Sequence, residues 1–201
     1  MNGKRLSIRL NLDKLNHKKA FEILSALPSG RKSEYAVNAI IRAYDTDEVL
    51  ELVNGQAVLL IEIKGGSEQF PGIERRTVEA VEAFNAVSWT ICQSFNEKAV
   101  ERVNNLDPGI TTYYLLGVNY IKYYREFRDK SGQSSLPAFG YDGLGIYHKL
   151  LSAGAVDSLQ GAGLEVFCWT VNDVSDMTEM INAGVDGIIT DSPDKLIGLI
   201  R

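Results

Sequence analysis

The sequence predicts an α/β fold on a parallel sheet, preceded by a small basic strand–helix–helix module. Two observations carry this. From Asp45 onward, short β-rich apolar runs alternate with stretches of helical period, the pattern in which crossover helices join parallel strands. The charge also changes sign there. Residues 1–44 hold nine Lys/Arg against three Asp/Glu, net +6, and the remainder holds 12 against 23, net −11. Such asymmetry marks two segments with different partners, the basic one suited to a polyanion. The expected division is therefore residues 1–44 and residues 45–201.

In the basic arm, Arg5 to Leu12 alternates as a strand does, with Leu6, Ile8, Leu10 and Leu12 on one face and Arg5, Ser7, Arg9 and Asn11 on the other. Ala20, Phe21, Leu24 and Leu27 then form a helical stripe that Pro28-Ser29-Gly30 interrupts. Ser33 is placed to cap a second helix, with Ala36, Val37, Ile40 and Ile41 as its buried side.

In the acidic body the expected strands are Ala57–Ile63, Ser88–Ser94, Thr111–Leu116, Gly143–Tyr147, Glu165–Val171 and Asp186–Thr190. Between them come the helical spacings of Ile73, Thr77, Val81 and Phe84, of Ala99, Val100, Val103 and Leu106, and of Leu151, Ala155 and Leu159. Asp173 precedes a helix through Val174, Met177 and Ile181, and Ser192-Pro193 opens the last one. The tyrosines of an aromatic-rich helix over 120–127 read as core and groove lining, and Ser131 to Ser135 as a surface loop. Six strand–helix units are legible.

The remaining features bound the function. Apolar runs are no longer than a strand, so no transmembrane span is expected. The first six residues have no apolar signal core, which points to the cytoplasm. Cys92 and Cys168 lie inside strand-like runs without metal-type spacing and read as reduced, buried thiols. In parallel α/β folds chemistry gathers where the strands end. Alternation along the first body strand puts Leu60, Glu62 and Lys64 on one face, so a carboxylate and an ammonium share the strand's end. They suit a metal and a phosphate, or else a salt bridge inside the sheet.

Leu59-Leu60-Ile61-Glu62-Ile63-Lys64, Gln93-Ser94-Phe95, Trp169-Thr170-Val171-Asn172 and Gly184 to Asp191 together resemble the glycerophosphodiester phosphodiesterase family, in family order from about Asp45 to Arg201. The helix over Thr46 to Gly55 fits the same resemblance. It implies a TIM (β/α) barrel and metal-dependent hydrolysis of glycerophosphodiesters to an alcohol and glycerol 3-phosphate, a reaction of lipid metabolism. It also implies a divalent metal, Mg2+ or Ca2+, with Glu62 as a ligand, Lys64 on the phosphate and Trp169 lining the substrate cleft. Gln93 and Asn172 would supply positioning or barrel-mouth hydrogen bonds.

The family's opening His-Arg-Gly, Glu-x-Asp and His-Asp motifs have no counterpart in this sequence. Its two histidines are His17, among lysines, and His148, which is expected at the surface beyond a strand. The implied metal site is incomplete, the catalytic histidines are missing, and the expectation is impaired catalysis. Six strands of eight would leave a barrel open at two edges, so the body is expected to form a homodimer, to recruit the arm as cover, or to be only partly stable alone.

The arm resembles ribbon-helix-helix DNA-binding proteins, in which strands from two chains pair into a ribbon. That resemblance implies a dimer with Arg5, Ser7 and Arg9 facing bases, and phosphate contacts at Arg31, Lys32 and Ser33. Three functions follow from the sequence: a phosphodiesterase-like protein with impaired catalysis, a dimeric DNA-binding protein, or a noncatalytic binder of a glycerophosphodiester or glycerol phosphate.

Overall fold

The structure, a computed structural model, describes residues 5–10, 35–39, 46–131 and 140–200 of the 201-residue chain. Eight parallel strands close into a barrel in chain order: β1 Arg5–Leu10, β2 Tyr35–Ala39, β3 Val58–Glu62, β4 Thr90–Ser94, β5 Thr111–Leu116, β6 Gly143–Tyr147, β7 Glu165–Trp169 and β8 Gly187–Thr190. Among the described residues the helices are α1 Thr46–Val53, α2 Ile73–Ala83, α3 Glu97–Leu106, α4 Tyr120–Ser131, α5 Ala153–Gly161, α6 Val174–Asn182 and α7 Pro193–Ile200.

The six expected body strands are all present, and the barrel has two more. β1 pairs with β2 through Leu6–Tyr35 to Leu10–Ala39, and with β8 through Arg5–Gly187 to Ile8–Thr190. β2 pairs onward with β3, Ala36 beside Val58 and Ala39 beside Ile61. The six body strands alone would leave the barrel open as expected, and of the expected remedies it is cover from the arm, through β1 and β2, that closes it, so the homodimer argument from free edges falls.

The second arm helix is corrected too, because Tyr35–Ala39 is a strand. A short apolar run fits a buried parallel strand as well as a helix, and pairing partners decide between them. The other arm helix, the Ser33 cap, the 44/45 boundary and residues 132–135 of the expected loop lie outside the described residues.

Strand alternation builds two cores. Outward-facing Leu59, Ile61, Cys92, Leu116, Leu144, Ile146, Val166, Cys168 and Ile188 pack under the helices, against residues such as Val81, Val103, Leu159 and Met177. Inside the barrel, Leu60, Ile91, Tyr113, Phe167 and Ile189 form a separate plug. Barrel interiors are filled in this way, so a ligand reaches the strand ends and not the lumen. Gly187 makes room for the plug, since a Cβ there would lie 2.4 Å from the Phe167 ring. The Tyr113 hydroxyl bonds Glu165 at the start of β7, and the Tyr113 and Phe167 rings meet at 5.0 Å.

Candidate functional site

Each strand that feeds the plug places its next same-face residue at the barrel mouth. Two residues past Leu60 is Glu62, two past Ile91 is Gln93, and two past Phe167 is Trp169. Glu62 is buried, and its carboxylate accepts from the Lys64 ammonium, whose side chain is 52% exposed. The structure thus brings together the two charged residues singled out at the end of this strand, as an ion pair reachable from solvent. Gly65 and Gly66 follow with φ of +71° and +68°, a left-handed turn that glycine adopts without strain.

Neighbouring elements fix this strand end. The Ser94 hydroxyl donates to the Ile63 carbonyl at 2.6 Å, and the Ile63 amide donates to the Gln93 carbonyl at 2.8 Å. Asn96 donates to the Gly65 carbonyl at 3.0 Å. Arg102 of α3 reaches back across the loop, donating to Glu68 at 2.6 and 3.1 Å and to Glu74 at 3.1 Å. The Ser67 amide and hydroxyl also donate to Glu74.

Burial would raise the Glu74 carboxyl, but the hydrogen bonds from Ser67, backbone and Arg102 outweigh it and hold it below its ordinary value. The Arg102 hydrogen bond, with backbone and Asn96 help, takes Glu68 down to about 2. This clamp was not read from the sequence. Its members lie as far apart as Glu68 and Arg102, and no local pattern joins them.

Across the mouth, the Trp169 indole nitrogen donates to the Gly145 carbonyl at 2.9 Å, which fixes the ring. Phe95 meets Trp169 edge-on at 5.4 Å and Tyr147 meets it at 5.5 Å. Phe95 and Tyr147 are 48% and 37% exposed, so the three rings form an aromatic wall open to solvent. Gly117 leaves space beside it, the nearest atoms to a Cβ there being in Trp169 and Phe95 at 3.9 and 4.0 Å.

Asn172 works within the fold. Its side-chain oxygen accepts from Thr190 at 3.1 Å and from the Asp191 amide at 2.9 Å, tying the ends of β7 and β8 together.

His148 departs from its expected surface position, being only 7% exposed. Its ring lies against Tyr147, with Nδ1 3.8 Å from Asp176 of α6. Burial lowers its pKa, and the carboxylate of Asp176 only partly offsets this. His17 lies outside the described residues.

On β1, Arg5 stands in register with Gly187, Ser7 with Ala36 and Ile189, and Arg9 with Asn38. Both edges of β1 are occupied by barrel strands, so the two-chain ribbon of a ribbon-helix-helix protein has no edge on which to form.

The sequence profile of the glycerophosphoryl diester phosphodiesterase family matches residues 2–195. The chain belongs to this family. A glycerophosphodiester phosphodiesterase of Caldanaerobacter subterraneus subsp. tengcongensis is 33% identical over 155 residues, 77% of this chain and 60% of that protein. The chain thus spans about 60% of the length of such curated relatives.

Among solved structures, a glycerophosphodiester phosphodiesterase from Parabacteroides distasonis superposes with a TM-score of 0.71 at 19% identity, over 98% of this chain and 96% of that one. An Oleispira antarctica phosphodiesterase, solved with its product sn-glycerol-3-phosphate, gives 0.58 at 22% identity over 77% and 60%. These likenesses support the barrel fold.

Phosphodiesterases of this family generally use a divalent metal. The described residues do not fit one: no group of three His, Cys, Asp or Glu side chains stands together among them, and the Glu62 carboxylate is engaged by Lys64. No helix among them is long and apolar enough to cross a membrane.

Proposed function

We propose that the barrel mouth binds glycerophosphodiesters and glycerol 3-phosphate, and that this chain alone hydrolyses them weakly or not at all. The observation that carries the binding half is the Glu62–Lys64 pair at the end of β3, facing the same mouth as Trp169, in a chain of this family. Lys64 supplies the positive charge for the phosphate. Glu62 orients that ammonium through its hydrogen bond, and Trp169 with Phe95 and Tyr147 gives the organic part of the ligand an aromatic surface. The relatives' names and the glycerol 3-phosphate held by the Oleispira enzyme support this ligand class.

What supports weak catalysis is the state of the proton-transfer groups among the described residues. Hydrolysis needs an acid or base within hydrogen-bond reach of the ligand. His148 is buried, turned toward Asp176 and disposed to the neutral form. A metal joining Glu62 would need further oxygen ligands beyond those the described residues offer.

Two measurements test the reading. Glycerol 3-phosphate is expected to raise the thermal midpoint of the purified chain, and Lys64→Ala to abolish that rise. Absence of the rise in the native sequence overturns the binding half. Metal-dependent release of glycerol 3-phosphate from glycerophosphocholine at an enzyme-like rate overturns the catalytic half.

A further inference from the structure

Gln93 is 2% exposed, and its side-chain oxygen has no hydrogen-bond partner. It stands on β4 directly beside Glu62 in the strand register, and two residues past Ile91 of the interior plug. Alternation along β4 puts it on the lumen side with Ile91, whereas Cys92 packs outward under the helices. The unpartnered oxygen therefore lies on the floor of the mouth, within the same layer as Glu62. A buried acceptor without a donor destabilises a fold, and a leucine or methionine would fill the position at no such disadvantage. A water, an ion or a donor on a ligand can complete such an acceptor.

We infer that the Gln93 side-chain oxygen accepts a hydrogen bond from a hydroxyl of the glycerol moiety, and so selects glycerol phosphates over phosphate monoesters that lack hydroxyls. This rests on the proposed binding of glycerol 3-phosphate at Lys64. The phosphate is an unsuitable partner for the Gln93 side-chain oxygen, because phosphate oxygens are acceptors too. Lys64 is the cation at this strand end, and the donors left on a glycerol phosphate are its hydroxyls. Trp169 is already committed, its N–H going to Gly145. The ligand thus meets a cation at one end and a neutral acceptor at the other. Sites of this kind discriminate sharply against analogues lacking the matching hydroxyl, because the buried partner is left unpaired.

The test compares glycerol 3-phosphate with ethyl phosphate, using the full chain, calorimetric titration and thermal melts. The native sequence is expected to bind glycerol 3-phosphate more tightly. Gln93→Leu is expected to weaken glycerol 3-phosphate about tenfold, the worth of one lost hydrogen bond of this kind, while leaving ethyl phosphate nearly unchanged. The ligand-free midpoint of the variant is expected to rise by about 2–4 °C, because the orphan acceptor is gone.

That opposition of signs separates a ligand contact from a structural one, which would lower the midpoint without touching selectivity. Gln93→Met, closer in shape, repeats the comparison if the leucine variant does not fold. Equal affinity of the native chain for the two ligands, an equal loss for both in the variants, or a change confined to stabilisation by Mg2+ or Ca2+ alone overturns the inference and leaves the Lys64 reading standing. If the native chain binds neither ligand, the Lys64 reading falls and takes this one with it.

Discussion

Gly187→Ala is a sensitive probe of the barrel interior, because theory gives opposite signs for a tight and a loose plug. In a strand with room to spare, the added methyl restricts the unfolded chain and stabilises by about 0.4–1 kcal/mol. Here the backbone at Gly187 permits a side chain, but its Cβ would meet three atoms of the Phe167 ring at 2.4, 2.6 and 2.6 Å. That ring is fully buried and lies against Tyr113, which is itself held to Glu165. Overpacking of this sort costs about 1–3 kcal/mol. The net expectation is a loss of about 1–2 kcal/mol, or roughly 2–8 °C in midpoint for a domain of this size.

Urea unfolding followed by far-ultraviolet circular dichroism measures the loss. Combining Gly187→Ala with Phe167→Leu should recover part of it, because the smaller side chain vacates the space the methyl needs. The coupling in that cycle should exceed about 0.5 kcal/mol, beyond the scatter of independent sites. A neutral or stabilising Gly187→Ala, or simple additivity with Phe167→Leu, would show that the ring is not wedged against β8.

Three further outcomes are expected. Arg102→Gln should quicken amide hydrogen exchange across residues 65–72 while α3 keeps its protection, because Glu68 and Glu74 lose their shared donor; unchanged exchange would show that the clamp does not hold the loop. Cys92 and Cys168 should resist a thiol reagent until the chain unfolds, since burial pushes the Cys92 thiol up to about 12 and raises Cys168 as well; rapid labelling of the native chain would contradict this. His148 is held below its unfolded value of 6.5, so its contribution to stability is full above that pH and is lost as the pH falls toward the lower folded value. A pH series of urea midpoints should show that limb flatten in His148→Gln, and an identical limb in both proteins would refute it.

The body strands were legible because each is a short β-rich run with turn residues at its ends. Gly143–Tyr147 was read to the residue, and β3 fell one residue inside each expected end. β2 was not legible. Ala36, Val37, Ile40 and Ile41 satisfy a helical stripe after a cap-like Ser33, and only the neighbours β1 and β3 turn the segment into a strand. The basic arm misled for the same reason: alternation announced β1, but nothing local says whether a strand will pair with a second chain or with a β8 that begins at Gly187.

At the site, period two was enough to put Glu62 and Lys64 together, since they lie on one strand end. The Phe95–Trp169–Tyr147 wall needed three strands, and the burial of His148 needed α6 to bring Asp176 alongside it. Gln93 stood out only through the family resemblance, as a positioning or barrel-mouth hydrogen-bonding residue. Its significance lies in a missing partner, and absence of a partner has no signature in sequence.

The two-residue step from Leu60 to Glu62, from Ile91 to Gln93 and from Phe167 to Trp169 has a consequence for redesign. Packing and chemistry occupy adjacent storeys of the same strands, and they share a face without sharing a residue. The upper storey can therefore be rewritten while the lower one keeps the barrel filled. On the proposed ligand reading, substitutions at positions 62, 93 and 169 would change which ligand binds while the plug residues one step earlier along each strand keep the barrel filled. Inserting a single residue between the storeys would do the reverse, turning the mouth residues under the helices and leaving a well-packed barrel with nothing to offer a ligand.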